Sequence, residues 1–228
     1  MHKTYSIIII SLLIMVSFAI PLLTFALSPQ LTIIEWSIEL SNDRMNAIAP
    51  DDNSMQNPDY KLLRYRWYIT AEYYINPTNF YGFSTEEVVD AITSAADTWD
   101  KETSFPVFNY KGTTEKSAGV YDGYNVIAWG SYKSGVIAVT FIWRIGRQIV
   151  ETDTLLNTYY EWSLSGESGK MDVQNIMTHE FGHWCGLADL YKDKDYWLTM
   201  YGYASYGETY KRTLGLGDIL GLQKVYGS

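Results

Sequence analysis

The chain has 228 residues, enough for one domain with a sizeable core once a leader and a spacer are set aside. Its formal net charge of −9 argues against nucleic acid as a partner. Its single cysteine, Cys185, excludes an internal disulfide, so an exported form must rely on packing and on any ions it binds.

Residues 1–27 carry Lys3 and then an apolar run from Ile7 to about Leu27, interrupted by Pro21. This is the pattern of a secretory signal, with cleavage expected after Ala26. The run is long for a signal, so an uncleaved membrane anchor is the alternative. Either way the rest of the chain is expected outside the cytoplasm, secreted or tethered. Residues 28–60 are weakly patterned, with the polar stretch SNDRMNAIAPDDNSMQNPD, and read as a linker or short pro-segment. Residues 61–228 are expected to fold as one domain, and a monomer is expected.

From Leu63 the pattern becomes regular. Leu63, Tyr65, Trp67 and Ile69 alternate with Arg64, Arg66 and Tyr68, which predicts a strand. Ser84 with Glu87 is a capping-box signature. Val88, Val89, Ile92, Ala95, Ala96 and Trp99 then recur at helical spacing, predicting a helix over 85–100. Three β-rich runs follow, Asn125 to Trp129, Val136 to Trp143 and Gln148 to Leu156, with a turn at Gly146 between the last two. A second helix is expected from about Val173 to Cys185, with Val173, Met177, Phe181 and Trp184 as its core face. A last helix, Asp218 to Tyr226, precedes Gly227. The 20 tyrosines and 8 tryptophans suit a carbohydrate- or surface-binding face, but more often fill cores and cover sheets.

The second helix carries the chemistry. Apart from His2, the only histidines are His179 and His183, in HEFGHWCGLADL. Positions i and i+4 differ by about 40° around a helix, so the two imidazoles point one way. So placed, they can hold one Zn²⁺ at about 2.0–2.1 Å. Glu180 sits where it can reach a zinc-bound water without binding the metal. Gly186 can end the helix in the left-handed conformation and turn Asp189 back toward the histidines. Three protein ligands and a water make the open arrangement of a catalytic site. Glu208 and Asp218 are the alternative third ligands. The bare His-Glu-x-x-His pattern also occurs on ordinary helices, but Gly186, Asp189 and Met200 together favour the metal. Cys185 reads as buried packing rather than a ligand.

With these elements in order, residues 60–228 resemble the metzincin zinc peptidases, most closely the matrixin-like group, with a snapalysin-like aspartate as third ligand. The resemblance implies an α+β fold: a twisted five-stranded, mostly parallel sheet with one antiparallel edge strand, three main helices, and a cleft between two subdomains. It makes LTMYGY a methionine turn, with Met200 as a hydrophobic floor beneath the metal. An ordinary core methionine describes the packing equally well. It likens GVIAVT to the edge strand that pairs with an extended substrate, so Gly135, Val136, Ile137 and Ala138 are candidate substrate-binding residues. Read without the resemblance, that run is an ordinary buried strand. Tyr203 becomes a candidate for the specificity pocket. Matrixins commonly cap the zinc with a pro-segment cysteine, and no cysteine precedes Cys185 here. Asp189, Asp193 and Asp195 in DLYKDKD leave calcium as a second reading beside a solvated acidic loop.

The function expected is a zinc endopeptidase acting on polypeptide, with Glu180 as general base. A zinc amidase acting on another bond, or an idle metal- or surface-binding module, is the alternative. Membrane contact is expected only through the N-terminal segment, if it is uncleaved.

Overall fold

A computed structural model describes residues 30–41 and 54–228. The leader therefore lies outside the described residues. No helix among those described is long and apolar enough to cross a membrane.

The capping box closes as the sequence predicts. The Ser84 hydroxyl accepts the Glu87 N–H at 3.2 Å, and the Glu87 carboxylate accepts the Ser84 N–H at 2.8 Å. This fixes the start of helix α1, Thr85–Asp100, whose Val88, Ile92, Ala95, Ala96 and Trp99 are buried. Helix α2, Val173–Trp184, packs across it, and the Trp99 indole N–H donates to the Thr178 carbonyl at 2.7 Å. Helix α3, Leu216–Tyr226, closes the domain.

Nine strands accompany these helices among the described residues: β1 (Leu31–Leu40), β2 (Ala71–Ile75), β3 (Phe108–Thr113), β4 (Asn125–Gly130), β5 (Val136–Ile145), β6 (Gln148–Asn157), β7 (Trp162–Ser163), β8 (Met171–Asp172) and β9 (Tyr203–Ala204). The main sheet runs β3-β2-β4-β6-β5-β1-β9, and β7 pairs with β8. Its first five strands are the expected α+β core. Three pairings are parallel, and β5 is antiparallel to β6. The β5–β6 hairpin turns at Gly146, as expected, with a left-handed φ of +61° that glycine adopts without strain.

Three local expectations need correction. Residues 63–69 make no strand; Tyr65 and Trp67 are buried, but Ile69 is 68% exposed and the only pairing there is a bridge from Arg66 to Gln148. The alternation was a true burial pattern without a ladder, and the strand begins at Ala71. The edge strand β3 went unpredicted. The stretch read as a linker holds a ten-residue strand, β1, which extends the five-stranded sheet past β5.

Candidate metal centre

Every residue of α2 except Gln174 is buried, including His179, Glu180 and His183. Polar groups so buried are costly unless each finds a partner, which makes the unpartnered atoms informative. His179 Nδ1 lies 2.7 Å from the Thr199 carbonyl and His183 Nδ1 lies 2.9 Å from the Leu187 carbonyl. A carbonyl only accepts, so each Nδ1 carries a hydrogen, and each Nε2 is left with a lone pair in the neutral ring.

Both Nε2 atoms face one oxygen. Asp189 Oδ1 lies 3.1 Å from His179 Nε2 and 3.5 Å from His183 Nε2, and none of the three has a hydrogen-bond partner. Together they form the one group of three or more potential ligands found among the described residues, with all donor atoms within 4.8 Å. Lone pairs converging in a buried space need a proton or a cation between them. The donor set, two imidazoles and a carboxylate, fits catalytic zinc.

Local chain geometry sets this convergence. Gly186, at φ +89°, ends α2; its N–H donates to the His183 carbonyl at 3.0 Å and the Leu187 N–H donates to the Gly182 carbonyl at 3.0 Å. This paired closure of a helix end needs a left-handed residue, and a Cβ at Gly186 would also stand 3.0 Å from the Tyr65 carbonyl. It returns the chain so that the Leu187 carbonyl meets His183. Asp189 Oδ2 is held by the Tyr191 hydroxyl at 3.2 Å. The Leu190 N–H donates to the Met200 carbonyl and the Gly202 N–H to the Leu190 carbonyl, both at 2.9 Å, tying this stretch to the methionine turn.

The alternative third ligands are engaged elsewhere. Asp218 accepts the N–H groups of Thr199, Met200 and Gly215 at 2.8, 3.1 and 2.9 Å, so it shapes the turn that presents the Thr199 carbonyl to His179. Glu208 pairs with the buried Lys211 at 2.9 Å. Met200 is buried beneath α2, and a Cβ on Gly182 would come 2.1 Å from its Sδ. Cys185 is buried packing. Asp195 accepts the Asn57 amide at 2.8 Å, and neither it nor Asp193 joins a group of three ligands, so the calcium reading gains no support.

Burial pushes Glu180 up to about 7, against the opposing pull of His179, the Thr140 hydroxyl and the Ile38 N–H. Burial likewise pushes His183 down to about 4, with Asp189 opposing. His179 is raised: burial works against its charge, but Asp189, Glu180 and the Thr199 carbonyl together outweigh it.

Sequence reasoning missed what holds Glu180. The Trp184 indole N–H donates to Thr154 Oγ1 at 2.9 Å, Thr154 and Thr140 hydroxyls lie 2.8 Å apart, and Thr140 Oγ1 donates to Glu180 Oε2 at 2.6 Å. Thr140 has one hydroxyl hydrogen and gives it to the carboxylate, so the hydrogen between the two threonines is Thr154's, and the order runs from Thr154 to Thr140 to Glu180. Glu180 Oε1 is unpartnered.

The candidate substrate residues are not free. Gly135 lies beside β5, and its carbonyl accepts the Leu40 N–H at 2.9 Å. Val136 pairs with Glu39 and Ala138 with Ile38, so β1 covers the edge on which Ile137 also lies. Tyr203 lies in β9, half-buried, with rings of Tyr191 and Tyr201 at 5.4 and 5.7 Å.

A mixed sheet of this order, a helix with two convergent histidines and a methionine turn beneath it define a zincin-like domain. The particular family follows: the matrixin peptidase model matches residues 66–227, and the chain belongs to that family, whose members are zinc-dependent metalloendopeptidases acting on polypeptides. A search of curated proteins finds no match.

Proposed function

We propose that the chain is a secreted or surface-tethered zinc endopeptidase in which His179, His183 and Asp189 hold the metal and Glu180 is the general base. The observation that carries this reading is the meeting of three buried, unpartnered lone-pair atoms beside a buried carboxylate. When bound, zinc supplies Lewis acidity, lowering the pKa of a water from about 15.7 toward about 7. Glu180, raised to about 7, is matched to take a proton from a water of that acidity and return it to the departing amine. Thr140 and Thr154 hold the carboxylate still while it does so. The edge of β5 already pairs with an extended strand, which favours polypeptide over a compact amide as substrate. The leader sequence supports export.

Zinc titration of the chelator-stripped chain tests the ligands. Asp189→Ala should weaken binding by more than about a hundred-fold, since loss of a mere supporting partner costs about 10–100-fold. Unchanged affinity would remove Asp189 from the set. Casein hydrolysis should vanish with chelator and in Glu180→Gln, which should still bind zinc. One equivalent of zinc bound with no chelator-sensitive cleavage, even once β1 is displaced from β5, would overturn the peptidase reading.

A further inference from the structure

The strand β1 lies where a peptide would have to lie. It pairs antiparallel with β5 from Leu31 opposite Ile145 to Glu39 opposite Val136, and parallel with β9 at Glu39 and Leu40. The Glu39 N–H donates to the Gly202 carbonyl at 3.1 Å and the Ser41 N–H to the Ala204 carbonyl at 2.8 Å. The strand is therefore hydrogen-bonded on both sides, between the sheet edge and the segment after the methionine turn.

Its inward side chains meet the metal centre. Trp36 stacks on His183, with ring centroids 5.2 Å apart and planes 26° from parallel, and its indole N–H donates to the Tyr65 hydroxyl at 2.9 Å. Ile38 is fully buried, opposite Ala138 of β5. Outward, Leu31 and Ile33 are 44% and 51% exposed. The matched family domain begins at residue 66, and every proposed ligand, the base and the five-stranded core lie within it. β1 is thus an addition to a domain whose machinery is complete without it.

Resting on the peptidase reading, we propose that residues 31–41 are an internal occupant of the substrate cleft, and that the protein is latent until this strand is displaced or removed. Backbone pairing recognises an extended chain whatever its side chains, so the strand and a polypeptide substrate compete for the same N–H and C=O groups of β5. A tethered competitor acts at an effective concentration of order mM, well above most free substrates. The strand caps the site without a cysteine: Trp36 covers one histidine, and Ile38 anchors the strand in the core.

The test uses the full chain carrying Trp36→Ala and Ile38→Asp, with thermal melting to verify folding. A labelled peptide of residues 31–40, LTIIEWSIEL, is titrated by fluorescence anisotropy in chelator, so that the readout is independent of catalysis. The double variant should bind the peptide and the native chain should not. With zinc restored, the double variant should hydrolyse casein at least about ten-fold faster than the native chain. If the double variant does not fold, a native chain with a site-specific protease sequence inserted between residues 41 and 54 replaces it, compared before and after cutting and removal of the freed segment. Equal peptide binding by the closed and opened forms, or equal hydrolysis by two active forms, would overturn the proposal. Peptide binding only after opening, with no hydrolysis even then, would support the internal occupant and sink the endopeptidase reading instead.

Discussion

At the scale of single residues, the hydroxyl pair below Glu180 makes a prediction that a packing role alone does not. Thr140 Oγ1 is the hydrogen-bond donor to Glu180 Oε2, and it favours the charged carboxylate. Thr140→Val removes that donor at nearly constant volume. Glu180, already raised to about 7 by burial, should rise further, so the base stays protonated to higher pH. The acidic limb of the kcat/KM profile of the opened enzyme should move upward, with most loss near pH 6 and recovery in alkali. Thr140→Ser should restore the native limb. A uniform loss at all pH values would mean that Thr140 serves only to fill space. This relay was illegible in the sequence because residues 140, 154 and 184 have no local spacing in common; only folding brings β5, β6 and α2 together at one carboxylate. The histidines, by contrast, are four residues apart on one helix, and Asp189 follows from the turn that Gly186 allows.

At the scale of elements, α2 shows where packing overrides intrinsic preference. A helical glycine usually costs about 0.5–1 kcal/mol relative to alanine. At Gly182, however, a Cβ would meet Met200 Sδ at 2.1 Å and Trp99 Cζ2 at 2.9 Å. Both neighbours are buried, and overpacking of such a core costs about 1–3 kcal/mol. Gly182→Ala should therefore lower Tm by several degrees, at roughly 2–4 °C per kcal/mol for a domain of this size, and calorimetry on the chelated chain measures it. An increase in Tm would show that α2 can slide away from the methionine turn. The same elements show what the sequence could reveal. α1 was legible because its cap and its apolar face are local, and α2 because its terminal glycine is. β1 was not, since the outward Leu31 and Ile33 are as apolar as the inward Ile34 and Ile38 and blur the alternation. β3 hid behind a polar sequence, FNYKGT, that suits an edge strand. Residues 63–69 misled for the opposite reason: Tyr65 and Trp67 alternate into the core from a segment that lacks strand neighbours.

At the scale of the whole molecule, buried carboxylates make stability depend on pH, and the sign decides between two physical effects. Asp153 in β6 accepts the N–H groups of Gly119, Val120 and Val126 at 2.7, 3.1 and 2.7 Å, fastening the loop before β4 to the sheet. Three such donors favour the charged form, yet burial outweighs them and pushes Asp153 up to about 7. Asp100, which accepts the Val107 and Phe108 N–H groups, is pushed up to about 6, again mainly by burial. An unfolded aspartate titrates near about 3.9. Between that value and about 7 the folded chain binds more protons at Asp153 than the unfolded one does, so its stabilising contribution is full below about pH 4 and falls as pH rises through about 7. Other titrating groups, His179 and His183 among them, share the same window, so the difference between two chains isolates the effect. Asp153→Asn cannot titrate, and its amide NH₂ must face at least one backbone N–H. It should therefore be less stable than the native chain at pH 4, by about 1–3 kcal/mol. The gap should narrow toward pH 8, as the native carboxylate pays for its burial. Urea unfolding of both chelated chains at pH 4, 6 and 8 measures that gap. If it widens with pH instead, the three N–H donors outweigh burial, and Asp153 is an ionised anchor at every pH at which the fold persists.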